Sequence, residues 1–245
     1  MPSLVSAGRR ALDLLFPPVC ALCGGAAAGH LCDACAAAIV PRDPRLCCAV
    51  CGKTLLGDEG AAGAAEPVCR RCRERRPAFD LARSAAAFHG PMGGLVHRLK
   101  YRGETYLAGT IAPFLARCFR REFGAERVDL LCPVPLHPAK ELSRGYNQSV
   151  LLAAALGRRL GIAMRADLLR RVRDTATQTR MDAKERRENM RGAFAPAPDA
   201  AARLFGKTAL LVDDVMTTGA TFDACAAALR EAGAARVLAL SAARD

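Results

Sequence analysis

Asp213 and Asp214 stand side by side at the end of an apolar run, and Thr217, Thr218, Gly219, Ala220 and Thr221 follow closely. Small residues leave backbone N–H groups open to a ligand, and threonine hydroxyls add donors. Where such a loop starts a helix, its free N–H groups point outward and the helix dipole adds positive potential, a combination suited to a phosphate monoester. The two carboxylates just upstream suit the hydroxyls of a sugar, directly or through Mg2+. A ribose carrying a 5-phosphate satisfies the acids and the cradle together.

A second chemistry lies in the first quarter of the chain. Nine of the twelve cysteines fall between Cys20 and Cys72, eight of them in four CxxC pairs: Cys20/Cys23, Cys32/Cys35, Cys48/Cys51 and Cys69/Cys72. A CxxC knuckle puts two thiolates on one tight turn, and two knuckles complete a tetrahedral sulfur site suited to zinc. The third and fourth knuckles enclose seventeen residues, a zinc-ribbon spacing, and the first and second enclose eight. Sequential pairing, one zinc per ribbon, is the expectation; a cross-braced pairing of first with third is left open by the spacing. Cys47, adjacent to Cys48, blurs one ligand, and His30 fits the spacing less well than Cys32. Four thiolates leave no open position, so both sites are expected to be structural. A disulfide framework is the alternative, but it needs an oxidising compartment, and residues 1–16 make a poor export signal. Cys132 and Cys225 sit in apolar contexts and read as buried thiols.

The elements that must position these groups follow from periodicity. "RVDLLCPVP" (127–135) reads as a central strand leading into a proline-bounded loop. "NQSVLLAAALGRRLG" (147–161) has helical spacing with Gly161 as its stop. "TALLVDDV" (208–215) is a second buried strand, "TFDACAAALREAG" (221–233) a helix with Thr221 as N-cap, and "ARVLALSAAR" (235–244) a last strand. Strands separated by helices of this length imply parallel βαβ units and an open doubly wound α/β sheet, with ligands beyond the carboxyl ends of the strands. The chain divides into a short helix over 1–16, a double zinc ribbon over 17–77 and an α/β domain over 78–245. The net charge is +12, of which +9 lies in residues 78–245. A basic domain points to anionic partners, although an Arg- and Ala-rich composition also arises from coding bias. No apolar run is long enough to span a membrane, so no membrane insertion is expected and a cytoplasmic location follows.

The stretch "LLVDDVMTTGAT" resembles the 5-phosphoribosyl-1-pyrophosphate (PRPP) signature of type I phosphoribosyltransferases. Together with the cysteine ribbons, "HRLKYRGE" (97–104), "PVPLHPAKELSRGYNQS" (133–149) and "ATQTRMDAKERRENMRGAF" (176–194), it resembles the ComF family over almost the whole chain. That family is linked to competence, the uptake and use of external DNA. The resemblance implies that Asp213 and Asp214 meet the ribose hydroxyls and that Thr217, Thr218, Gly219, Ala220 and Thr221 hold the 5-phosphate. It implies that Val134, Pro135 and Leu136, in a loop running to Pro138, hold the pyrophosphate, with an unusual peptide bond that turns an N–H inward. Lys100, Arg144, Arg173, Arg180 and Arg187 are candidates for the pyrophosphate side, with Arg144 foremost, and residues 173–190 match a loop that closes over the ligand. Asp213, Asp214 and Arg144 are the catalytic candidates, and Mg2+ would accompany PRPP. Three readings result: a phosphoribosyltransferase of unidentified acceptor, a catalytically inactive adaptor that contacts single-stranded DNA or a competence helicase, and a PRPP sensor. The second is weakened by sparse aromatics, with no Trp and three Tyr, because single-strand binding uses stacking platforms.

Overall fold

The computed structural model describes residues 18–55, 67–174 and 183–245. The expected helix over 1–16 lies outside them. Within the cysteine-rich region two short helices are set by the knuckles, α1 (Asp33–Ala37) and α2 (Arg70–Glu74). There follow β1 (Leu81–Ala87), α3 (Pro91–Tyr101), α4 (Leu107–Phe123), β2 (Leu130–Pro133), α5 (Pro138–Arg144), α6 (Gln148–Leu160) and β3 (Leu169–Arg171). The chain continues through α7 (Ala183–Met190), β4 (Phe194–Pro196), α8 (Ala200–Leu204), β5 (Thr208–Met216), α9 (Ala220–Glu231) and β6 (Arg236–Arg244).

The four long strands form a parallel sheet in the order β1-β6-β5-β2. Parallel sheets are covered on both faces, and strand alternation divides the core accordingly. Ala209, Leu211, Val237 and Ala239 point to a layer with α9, α8, the antiparallel β3-β4 hairpin and Cys48, Cys51, Cys69 and Cys72. Leu210, Val212, Leu238 and Leu240 point to the opposite layer, filled by α3, α4 and α6 and reached by Ala21 and Ile39. The two cysteine regions therefore contribute to opposite faces of one sheet.

β5 and β6 lie at the centre, as expected of their continuous apolar runs, but β2 lies at the edge, correcting its reading as a central strand. An isolated bridge to Met164 covers that edge: Leu131 N–H donates to Ala163 C=O at 2.9 Å, and Arg165 N–H donates to Leu131 C=O at 2.8 Å. With both faces and its outer edge covered, Leu130–Cys132 has the composition of a central strand. α9 also begins earlier than its sequence suggests. Its N-cap is Gly219, at φ 80°, and not Thr221, which lies in the first turn. The left-handed turn at Gly219 swings the chain from β5 into the helix, a conformation that Thr221, with its β-branch, disfavours.

Candidate functional site

β5 carries Asp213 and Asp214 to its carboxyl end, and the turn at 217–219 leads into α9 there. α3 brings Lys100 to the same end: Met92, Leu95, Val96 and Leu99 bury its inner face, and Lys100 projects from the last turn. Beyond β2, Asn147 Nδ2 donates to Val134 C=O at 3.1 Å and pins the loop that follows. The result is one cleft of about 500 Å3 above the carboxyl ends of the strands, within the range typical of small-molecule sites.

Of the residues expected from sequence, Lys100, Val134, Pro135, Leu136, Arg144, Asp213, Asp214, Thr217, Gly219, Ala220 and Thr221 line this cleft. Thr218 faces the other way. Its carbonyl accepts from Arg71 Nη1, and its Oγ1 accepts from Ala220 N–H at 3.3 Å. Among the described residues the peptide bonds are all trans, so the unusual bond expected in the 134–138 loop does not occur. Arg173 is directed at the backbone, donating to Asn189 C=O at 2.6 Å and Arg191 C=O at 2.9 Å. It therefore ties the segment after β3 to the C-terminal end of α7, outside the cleft lining. The side chains of Arg180 and Arg187 lie outside the described residues, as does much of the expected closing loop.

Three groups that sequence reasoning missed complete the site. Ser149, in the first turn of α6, donates from Oγ to Asp213 Oδ1 at 2.7 Å. Lys140 on α5 and Arg171 on β3 also line the cleft, and the Arg171 guanidinium lies 5.5 Å from the Phe194 ring centroid. Ser149 stands inside the quoted "YNQS" stretch, but nothing local ties it to an acid 64 residues away. Arg171 reaches the site only because β3 and β4 pair into a hairpin over the sheet.

The acids are nearly dry: Asp213 is 9% exposed and Asp214 3%. Burial, with the Asp214 charge beside it, pushes the Asp213 carboxyl up to about 7, against the pull of the Ser149 hydroxyl and the Lys100 ammonium. Lys100 Nζ lies 2.8 Å from Asp214 Oδ2. This is an ion pair without hydrogen-bond alignment, and no other donor among the described residues satisfies that oxygen. Burial works against the Lys100 charge, but the Asp214 carboxylate outweighs it and holds the ammonium above its ordinary value. Arg144 donates to Gln148 Oε1 and lies 5.7 Å from the Tyr101 ring centroid. Four cations around a dry acid pair suit a ligand with a polyanionic end and a hydroxyl-bearing end.

The cysteines gather into two clusters, Cys20/Cys23/Cys32/Cys35 and Cys48/Cys51/Cys69/Cys72, with the sulfurs of each set within 4.8 Å of one another. The pairing is sequential, and neither Cys47 nor His30 belongs to a cluster. His30 instead packs its ring 4.2 Å from that of Tyr106. Four soft thiols in so small a volume are the donor set of a structural zinc site. Backbone N–H groups support the thiolates: Cys35 N–H donates to Cys32 Sγ at 3.4 Å, and Cys69 N–H to Cys48 Sγ at 3.3 Å. Hydrogen bonds from the backbone of Cys23 and Cys32 help lower the Cys20 thiol to about 6. No described helix is long and apolar enough to cross a membrane.

Two family models match the chain, a double zinc ribbon domain over residues 11–73 and a phosphoribosyl transferase domain over residues 146–244. The DNA utilization protein YhgH of Salmonella typhi is 33% identical over 230 residues, covering 91% of this chain and 96% of that protein. Competence protein F of Haemophilus influenzae is 32% identical over 168 residues, covering 67% of this chain and 73% of that protein. Among solved structures, the allosteric regulatory enzyme of purine biosynthesis is 20% identical, with a TM-score of 0.39 over 59% of this chain and 29% of that one.

Proposed function

This chain belongs to the family of Competence protein F and DNA utilization protein YhgH, and from that premise we propose that its cleft binds Mg-PRPP and that the protein acts in DNA uptake or use in the cytoplasm. One observation carries the reading. The acid pair of β5, the small-residue turn at the start of α9 and the 134–136 loop open into a single cleft. Asp213 and Asp214 accept from the ribose hydroxyls, the N–H groups at the start of α9 receive the 5-phosphate, and Val134, Pro135 and Leu136 border the pyrophosphate. Lys100, Lys140 and Arg144 supply its countercharge. The acid pair has hard oxygen donors suited to Mg2+, but Lys100 already stands on Asp214 Oδ2. Mg2+ would therefore be held chiefly by the ligand's phosphates, as suits an ion that keeps its waters and takes few protein ligands. When bound it neutralises charge on the pyrophosphate.

We read the site as a phosphoribosyltransferase centre of unassigned acceptor. The acceptor bonds to the anomeric carbon as the bond to pyrophosphate breaks. Positive charge grows on the sugar ring, near Asp213 and Asp214, and negative charge grows on the leaving group, near the cations. No covalent nucleophile of the chain is needed. Calorimetric titration of zinc-loaded protein with PRPP and Mg2+ tests the pocket. Micromolar binding lost in Asp213→Asn/Asp214→Asn is expected, and absence of binding by the native chain overturns the reading. Pyrophosphate release across a panel of bases and amines then tests turnover.

A further inference from the structure

The turn that receives the phosphate in this reading is held from behind by the second cysteine cluster. Arg71 lies between the ligands Cys69 and Cys72, on α2, and its Nη1 donates to Thr218 C=O. Its Nη2 stands 3.5 Å from where a Cβ would project at Gly219. The segment leading out of α2 grips the same region, because Ala78 N–H donates to Asp223 Oδ1 at 2.7 Å in the first turn of α9. Phe79, 1% exposed, packs beneath the turn.

The consequence is directional. A trans peptide unit carries its C=O and N–H on opposite edges, and the Thr218–Gly219 unit is trans. With its C=O drawn to Arg71, the Gly219 N–H is turned toward the side on which Gly219 borders the cleft. The geometry points to Arg71 as a positioning residue: held by the Cys48/Cys51/Cys69/Cys72 cluster, it orients the Gly219 N–H for the phosphate of the ligand. The second metal cluster is thus part of the phosphate cradle, 147 residues away in sequence. Without metal, α2 would lose the anchorage of Cys69 at its N-cap and Cys72 at its middle, and Arg71 would lose its station.

This inference rests on the PRPP reading for its ligand, but the clamp can be measured without one. Arg71→Ala, Arg71→Lys and, on the exposed side of α2, Arg70→Ala are compared as full-length, zinc-loaded proteins, with metal content measured. Arg70 pairs with Glu74 in solvent and serves as the control. Amide exchange in the ligand-free state is expected to accelerate at least tenfold at Ala220 and Asp223, whose N–H groups donate to Thr218 Oγ1 and Gly219 C=O, in Arg71→Ala, to be partly restored in Arg71→Lys and to be unchanged in Arg70→Ala. Affinities for Mg-PRPP and for inorganic phosphate are expected to fall about tenfold or more in Arg71→Ala, with two zinc ions retained. Unchanged exchange in a zinc-replete Arg71→Ala protein overturns the clamp, whatever the ligand. Unchanged PRPP affinity despite faster exchange overturns its positioning role. A native chain that binds no PRPP defeats the ligand reading, and the exchange data alone then decide the clamp. A variant that loses its second zinc also overturns the assignment, since Arg71 would then be holding the cluster and not the turn.

Discussion

At the scale of single residues, the site is an arrangement of charges kept in little water. Asp213 has a folded value of about 7 against 3.8 for the free carboxyl. Between those values the unfolded chain gives up its proton first, so the fold loses stability as pH rises from 3.8 to about 7 and stays lowered above it. Asp213→Asn keeps an acceptor for the Ser149 hydroxyl and removes the charge. We expect it to raise the melting temperature at pH 8 by on the order of 5 °C, with little gain at pH 4, while Mg-PRPP binding is lost; differential scanning calorimetry at the two pH values, beside titration, checks this. Lys100 acts on the neighbouring carboxylate. Removing it leaves Asp214 buried without its counter-ion, so Lys100→Met should cost about 3 kcal/mol. Most of that cost should return in Lys100→Met/Asp214→Asn, measured by denaturant unfolding as a double-mutant cycle. Additive costs would show that the ion pair contributes nothing.

At the scale of elements, the turn from β5 to α9 is the most constrained segment. Gly219 sits at φ 80°, and a Cβ there would come within 2.6 Å of Met216 Cε. Gly219→Ala should therefore cost about 2 kcal/mol, from the left-handed backbone and the displaced methionine, and weaken PRPP binding more than tenfold. Thermal unfolding and calorimetry read the two effects separately. Of the helices around the site, α6 and α9 were legible because their signals are local. α6 starts after Asn147, whose side chain accepts from Ser149 N–H at 2.9 Å, and stops at Gly161, at φ 70°. β1 escaped notice because "LARSAAA" has only one large apolar residue, Leu81 at its start, and otherwise alanines, a serine and an arginine. The β3-β4 hairpin escaped because each strand has three residues and the partners lie more than twenty positions apart. The edge position of β2 was hidden for a different reason, since the composition of a strand reports how well it is covered and not where in the order it stands.

At the scale of the whole molecule, the two cysteine clusters are unequal. Cys48, Cys51, Cys69 and Cys72 are all buried and share one core with β5, β6 and α9. Further contacts staple the third knuckle to the sheet: Arg244 Nη1 donates to Cys51 C=O at 2.9 Å, Arg83 Nη2 to Ala49 C=O at 3.1 Å, and Ala82 N–H to Val50 C=O at 2.8 Å. The first cluster has Cys23 exposed and Cys32 and Cys35 half-buried. Chelator treatment should therefore release zinc in two phases. One equivalent leaves rapidly with the near-UV circular dichroism preserved, and the second leaves only as the fold is lost. Cys51→Ser should accordingly destabilise far more than Cys23→Ser, and equal losses in thermal unfolding would refute the asymmetry. Metal binding supplies folding energy at both sites, but only the second is continuous with the core beneath the cleft.

The sequence by itself determined the groups that carry chemistry: the acid pair, the small-residue turn after it, four CxxC knuckles and the alternation that makes a parallel sheet. These signals are contiguous, because a phosphate cradle, a thiolate pair and an amphipathic face each need only neighbours within a turn or two. Tertiary structure alone decided which distant groups meet them. Ser149 reaches Asp213, Lys100 reaches Asp214 and Arg71 reaches Thr218 across 64, 114 and 147 residues. Such contacts leave no periodicity in the chain, since a buried charge or a turned carbonyl is satisfied by whatever partner the packing delivers, wherever that partner lies in the sequence.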